Sequence, residues 1–68
     1  TMMVNALFPL FMEQPELLPE DWHDDVARAV ARGNEGQTEL ARVVLDYVAG
    51  MTDRFAIQEY HRLIDPNG

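Results

Sequence analysis

Two stretches of this chain hold residue types that could do chemistry. His23-Asp24-Asp25 sets an imidazole beside two carboxylates, side chains that bind divalent cations. A metal site needs ligands converging from several elements. Neighbours on a helix point about 100° apart, so at most two of these three could reach one ion. The other histidine, His61, falls on the polar side of a later helix, where a solvated role suits it. The triplet therefore reads as an acidic, solvated first turn, where the helix dipole favours negative charge.

The second stretch is Asp46-Tyr47-Val48-Ala49-Gly50-Met51-Thr52-Asp53-Arg54-Phe55-Ala56. Gly50 closes one helical pattern, and Thr52 or Asp53 caps the next. A helix start there offers backbone N–H groups and positive potential to an anion. Arg54 sits in that first turn against the dipole, which suits an outside carboxylate or phosphate; the alternative is a simple cap at Thr52 or Asp53 with Arg54 solvated. Asp53 is a local rival for the same arginine. Other chemistries are excluded for this segment. It holds no cysteine and no serine, so no Ser or Cys triad can form, and no Gly-rich phosphate loop occurs. Carboxylates abound, but all fall on faces expected to meet solvent.

These residues must be positioned by helices, because the apolar spacing follows a 3.6 period throughout. The sequence predicts an all-α fold of four helices, over about 1–12, 19–32, 37–50 and 53–64, with no strand. The first is apolar on nearly every side and so buried on nearly every side: Met3, Leu7 and Leu10 line one face, with Val4, Phe8 and Phe11 beside them. Pro9 removes one of its hydrogen bonds and predicts a kink, or a restart near Phe8. Leu17 and Leu18 tuck against the core between Pro15 and Pro19.

The second helix starts at Pro19 and buries Trp22, Val26, Val30 and Ala29. Asp24 and Arg28 form an i,i+4 pair on it, and Gly33 ends it. Asn34 with Gln37 could form a capping box for the third helix; Thr38 is the rival cap. That helix shows a wide stripe of Leu40, Val43, Val44, Tyr47, Val48 and Met51. The fourth buries Phe55, Ala56, Ile57, Tyr60, Leu63 and Ile64, and turns Arg54, Gln58, His61 and Arg62 outward. Met2, Met3, Met12 and Met51 recur at helical spacing and read as core rather than as a binding groove. Trp22 packs within the chain rather than anchoring a partner.

A chain of 68 residues buries only about 60% of its unfolded surface, so its core is marginal. No disulfide or structural zinc supports it, which points to an oligomer or to a missing remainder. The apolar pattern already under way at Met2 looks like a cut through a longer helix, whereas Asp65-Pro66-Asn67-Gly68 looks like a natural C-terminus. Five arginines against twelve acids give a net charge of −7, which disfavours nucleic acid and membrane surfaces. No apolar run reaches the ~20 residues of a membrane span, and residues 1–12 lack the marks of a signal peptide, so the cytoplasm is expected.

The run from Arg42 through Asp46-Tyr47-Val48-Ala49-Gly50-Met51-Thr52-Asp53-Arg54 to Ala56 resembles the C-terminal signature of bacterial deoxyguanosinetriphosphate triphosphohydrolases, the dGTPase-like members of the HD-domain superfamily. Upstream, Ala6-Leu7-Phe8-Pro9-Leu10-Phe11 and Pro15-Glu16-Leu17-Leu18-Pro19 fit the segment that precedes it, although Pro9 departs from the helix-favouring residue expected there. The resemblance covers nearly the whole chain. It implies an accessory C-terminal region of an enzyme that splits a deoxynucleoside triphosphate into deoxynucleoside and triphosphate with a divalent metal, Mg or Mn. The implied metal set, His…His-Asp…Asp, belongs to the N-terminal part of the family and is not matched by His23-Asp24. The resemblance further implies packing against the remainder of the catalytic domain, a homo-oligomer, and contact with nucleotide or a neighbouring subunit by Arg54, with Tyr47 and Asp53 as further candidates. The alternative is a non-catalytic helical protein-interaction module.

Overall fold

A computed structural model describes residues 2–65 of the chain, with side-chain surroundings from Asn5 onward. The expected helix start at Thr1, the face given to Met2, Met3 and Val4, and the stop over 66–68 lie outside that description. Four helices carry the fold: α1 (Met2–Glu13), α2 (His23–Ala31), α3 (Gln37–Ala49) and α4 (Asp53–Leu63). Short 3-10 turns at Pro15–Leu17, Glu20–Trp22 and Gly33–Gly36 join the first three, and the described residues hold no strand. The all-α architecture is as the apolar spacing predicts.

Helix α1 is the central element, with α3 and α4 packed against it and α2 packed on α3. Its Leu7 and Phe11 are fully buried. The helix runs through Pro9 without the expected restart. Proline forfeits one backbone bond, but the neighbouring turns are held by burial of Leu7 and Phe11, and the ring itself faces outward. Leu18 is buried and Leu17 packs beside it, as expected of the connector.

Helix α2 corrects three expectations. Pro19 is extended (φ −58°, ψ 155°) and leads into the turn Glu20–Trp22, so α-helical bonding begins only at His23. Its inward stripe is Trp22, Val26 and Ala29, whereas Val30 is 56% exposed. A residue four positions on is rotated about 40° around the helix, which carries Val30 past the edge of the α3 contact. Arg28 pairs with Asp25, one turn away at i,i+3, rather than with Asp24. Both partners are largely exposed, so the pair adds little stability.

Two glycines make the α2–α3 turn possible. Gly33 adopts the left-handed conformation (φ 61°) that ends α2. Gly36 is buried, and a Cβ there would overlap the Ala29 carbonyl oxygen, with the carbonyl carbon at 2.8 Å and Arg32 Cβ at 3.0 Å. Neither Asn34 nor Thr38 caps α3. The turn enters α3 with helical dihedrals at Gly36 (φ −89°, ψ −1°), and the Gln37 N–H is already taken by the Asn34 carbonyl, so no side-chain cap is needed. Arg32 and Glu39 pair across this turn.

On α3 the predicted stripe holds: Leu40, Val44 and Val48 are buried, and Val43, Tyr47 and Met51 pack at its margins. The stripe expected on α4 is rotated. Ala56 and Glu59 are its buried residues, Tyr60 and Leu63 are half-buried, and Phe55 (41%), Ile57 (44%) and Ile64 (40%) stand exposed. Helix α4 packs on α1, and the covered arc runs through Ala56, Glu59, Tyr60 and Leu63. An arc that narrow cannot take in Phe55 and Ile57, which lie on opposite flanks.

Candidate functional site

The Asp46–Ala56 run forms the corner between α3 and α4. Helix α3 ends at Gly50, whose N–H is shared between the carbonyls of Asp46 (3.3 Å) and Tyr47 (3.2 Å). Met51 N–H then donates to the Val48 carbonyl at 3.1 Å. Gly50 has φ −81° and ψ −5°, a conformation open to any residue, so it stops the helix without a left-handed turn. Thr52 is extended (φ −72°, ψ 159°), and its hydroxyl accepts from Phe55 N–H at 3.1 Å. Thr52, rather than Asp53, is therefore the N-cap of α4. The N–H groups of Asp53 and Arg54 have no intrahelical acceptor, as in any first helical turn.

Arg54 and Asp53 are both exposed at that start, and they make no ion pair with one another. The local rivalry expected between them is absent among the described residues. Tyr47 lies on the preceding helix, half-buried between two aromatic neighbours. Its ring meets Phe11 edge-on at 5.6 Å and Trp22 at 5.4 Å. Trp22 thus packs within the chain, as its place on the α2 stripe indicates. Trp22, Asp46, Tyr47, Gly50, Met51 and Phe55 together line a shallow groove of about 230 Å³ over the corner.

A polar cluster that sequence reasoning missed lies near Tyr47. Glu59 is only 8% exposed, and Arg62 holds it with two hydrogen bonds, Nε to Oε2 and Nη2 to Oε1, both 2.8 Å. The hydrogen bonds from Arg62 hold the Glu59 carboxyl below its ordinary value, against the opposing effect of burial. The same pairing raises the Arg62 guanidinium. The Tyr47 hydroxyl is pushed up, chiefly by burial and then by the nearby Glu59 carboxylate, while Arg62 pulls the other way. Tyr47 is therefore a neutral phenol at physiological pH, able to donate a hydrogen bond. The expectation that every carboxylate meets solvent fails at Glu59. Its signal was present: Glu59 lies three residues after Ala56, four before Leu63 and three before Arg62.

The first candidate triplet stays apart from this corner. His23 Nε2 donates to the Leu18 carbonyl oxygen at 2.6 Å, tying α2 to the connector. Asp24 and Asp25 are exposed in the first turn of α2. Among the described residues no three His, Cys, Asp or Glu side chains are grouped around one point. His61 is exposed and stacks edge-on against Tyr60. No helix among the described residues is long and apolar enough to cross a membrane.

Known proteins are similar to this sequence. It is 64% identical over 63 residues to a deoxyguanosinetriphosphate triphosphohydrolase-like protein of Cereibacter sphaeroides, covering 93% of this chain and 15% of that protein. A protein of the same description from Paracoccus denitrificans is 58% identical over 94% of this chain and 16% of its own length. One from Rickettsia prowazekii is 45% identical over 98% of this chain and 16% of its own length. The chain thus spans about 15% of the curated relatives it matches. No solved structure gives a significant match. The phosphohydrolase-associated domain family matches residues 1–62, nearly the full length and the whole of the α3–α4 corner. The chain belongs to the phosphohydrolase-associated domain family.

Proposed function

We propose that this chain is the C-terminal accessory region of a metal-dependent deoxynucleoside triphosphate triphosphohydrolase acting on dGTP. In this reading it supports the nucleotide pocket and a homo-oligomer in the cytoplasm, and it carries no catalytic metal site of its own. The observation that carries the proposal is the 64% identity to a dGTP triphosphohydrolase-like protein across almost all of this chain. The corner supplies a physical rationale. Arg54 is exposed at a capped helix start and makes no ion pair among the described residues. Its guanidinium, beside the N–H groups of Asp53 and Arg54, suits a nucleotide phosphate or a neighbouring subunit's carboxylate. Tyr47 could donate to the same ligand, and Asp53, exposed beside Arg54, is a further candidate for contact with nucleotide or a neighbouring subunit.

The test uses the full-length parent and the 68-residue chain side by side, with dGTP and Mn²⁺ or Mg²⁺. The parent is expected to release triphosphate and the short chain to give only the buffer blank. In the parent, Arg54→Ala should lower kcat/KM by about tenfold or more, the scale of one lost charge-assisted hydrogen bond, with the oligomer unchanged. Turnover by the short chain would end the accessory reading. An unaltered kcat/KM would remove Arg54 from the site.

A further inference from the structure

We propose that the groove over the α3–α4 corner docks an arginine or lysine side chain carried by the part of the parent polypeptide that lies outside these 68 residues. This deepens the reading above and rests on its claim that the chain is one region of a larger protein.

Three observations converge on the groove. It is lined by rings and a thioether, Trp22, Tyr47, Phe55 and Met51, and Phe55 is 41% exposed there. Such walls receive the stem and the charged plane of a long cationic side chain. Asp46 stands at the same groove, exposed and absent from all three ion pairs of the described residues. Anything that covers these apolar walls also strips water from the Asp46 carboxylate, and a desolvated carboxylate without a counter-charge is costly. An apolar occupant would incur that cost, whereas a cationic one removes it. Arg28, Arg32 and Arg62 are already paired, and the chain as a whole carries −7, which favours a counter-charge from outside.

The third observation is Gly50, which also lines the groove. Its φ of −81° does not require glycine. A Cβ there would meet only the Asp46 and Tyr47 carbonyl oxygens, at 3.5 and 3.6 Å, which is ordinary contact. Gly50 therefore leaves bare backbone at the groove wall, where a group lying across the groove can come close. The occupant is available within the same polypeptide, since the curated relatives extend well beyond the 15% this chain spans.

The experiment is site-specific photo-crosslinking in the full-length parent, with Phe55→p-benzoylphenylalanine, followed by digestion and mass spectrometry. The expected product is an intrachain link to a peptide outside residues 1–68, with an arginine or lysine within about one helical turn of the attachment point. Asp46→Asn should then raise the rate at which protease releases this region by about tenfold, while Asp24→Asn on the far side of α2 leaves it unchanged. Reversing both charges, Asp46→Arg with the identified cation changed to Glu, should restore resistance that Asp46→Arg alone loses. Links confined to residues 1–68, links only between copies, links to a segment without a cation, or no link at all would each overturn the docking. So would an unchanged release rate in Asp46→Asn. The two proposals fail separately. A parent that hydrolyses dGTP but gives no such link defeats only the docking, and one that links without hydrolysing dGTP defeats only the enzymatic reading.

Discussion

Replacing Gly36 with alanine tests the packing that brings the corner together. Gly36 lies where the Gly33–Gly36 turn passes under the end of α2, and its missing side chain lets the turn touch the Ala29 carbonyl. An added Cβ would overlap that oxygen, with backbone carbon at 2.8 Å and Arg32 Cβ at 3.0 Å. The obstacle is main chain of a packed helix, not the end of a flexible side chain, so the turn itself must move. Forced overpacking costs about 1–3 kcal/mol, and a backbone obstacle belongs in the upper half of that range. For a domain this small, about 2–3 kcal/mol lowers Tm by roughly 10–20 °C. Gly33→Ala is the comparison: it has open space around it, so only its left-handed backbone (φ 61°) resists, at about 1 kcal/mol. Thermal melts by far-UV circular dichroism give the ranking. Trp22, the only tryptophan, also reports whether α2 has shifted, because its ring rests on Tyr47 of α3. A Gly36→Ala melt within about 0.5 kcal/mol of the parent, or milder than Gly33→Ala, would refute the packing argument.

Two further outcomes follow from α4. Thr52→Ala should cost about 1 kcal/mol, because the Phe55 N–H loses its acceptor, and Thr52→Ser should restore most of it; urea titration reads both. The Glu59 carboxyl lies below its ordinary 4.5 in the folded chain, so its pair with Arg62 contributes stability above that pH and loses it as pH falls through the folded value. The urea midpoint should therefore drop less between neutral and acid pH in Glu59→Gln than in the parent, and an equal drop would show that the pair is not coupled to folding.

How much could be read in the chain varies from element to element. The buried face of helix α3 was legible, though not its cap, because Leu40, Val44 and Val48 repeat at the helical period and are all buried. The connector leucines were legible too, because two prolines fix where the chain must turn. Helix α4 was legible as a helix but not in its orientation. Its apolar residues are spread over more than half its circumference, so periodicity alone left several faces open, and the actual one buries a glutamate. Of the site candidates, Arg54, Asp53 and Tyr47 were visible as a capped corner. Glu59 and the groove role of Asp46 were not, since each depends on what another helix brings beside it.

The sequence by itself determined that this chain is helical, that α3 gives way to α4 at Gly50–Thr52, and which family it belongs to, because those depend on local periodicity, turn residues and a contiguous signature. Only the tertiary structure decided which flank of α4 is covered, that Thr52 rather than Asp53 holds the corner, and that Trp22, Tyr47 and Phe55 meet Asp46 around one groove. Those outcomes depend on helix-on-helix packing. The choice among rotations of an amphipathic helix is made by the surface it meets, and residues far apart in the chain supply that surface.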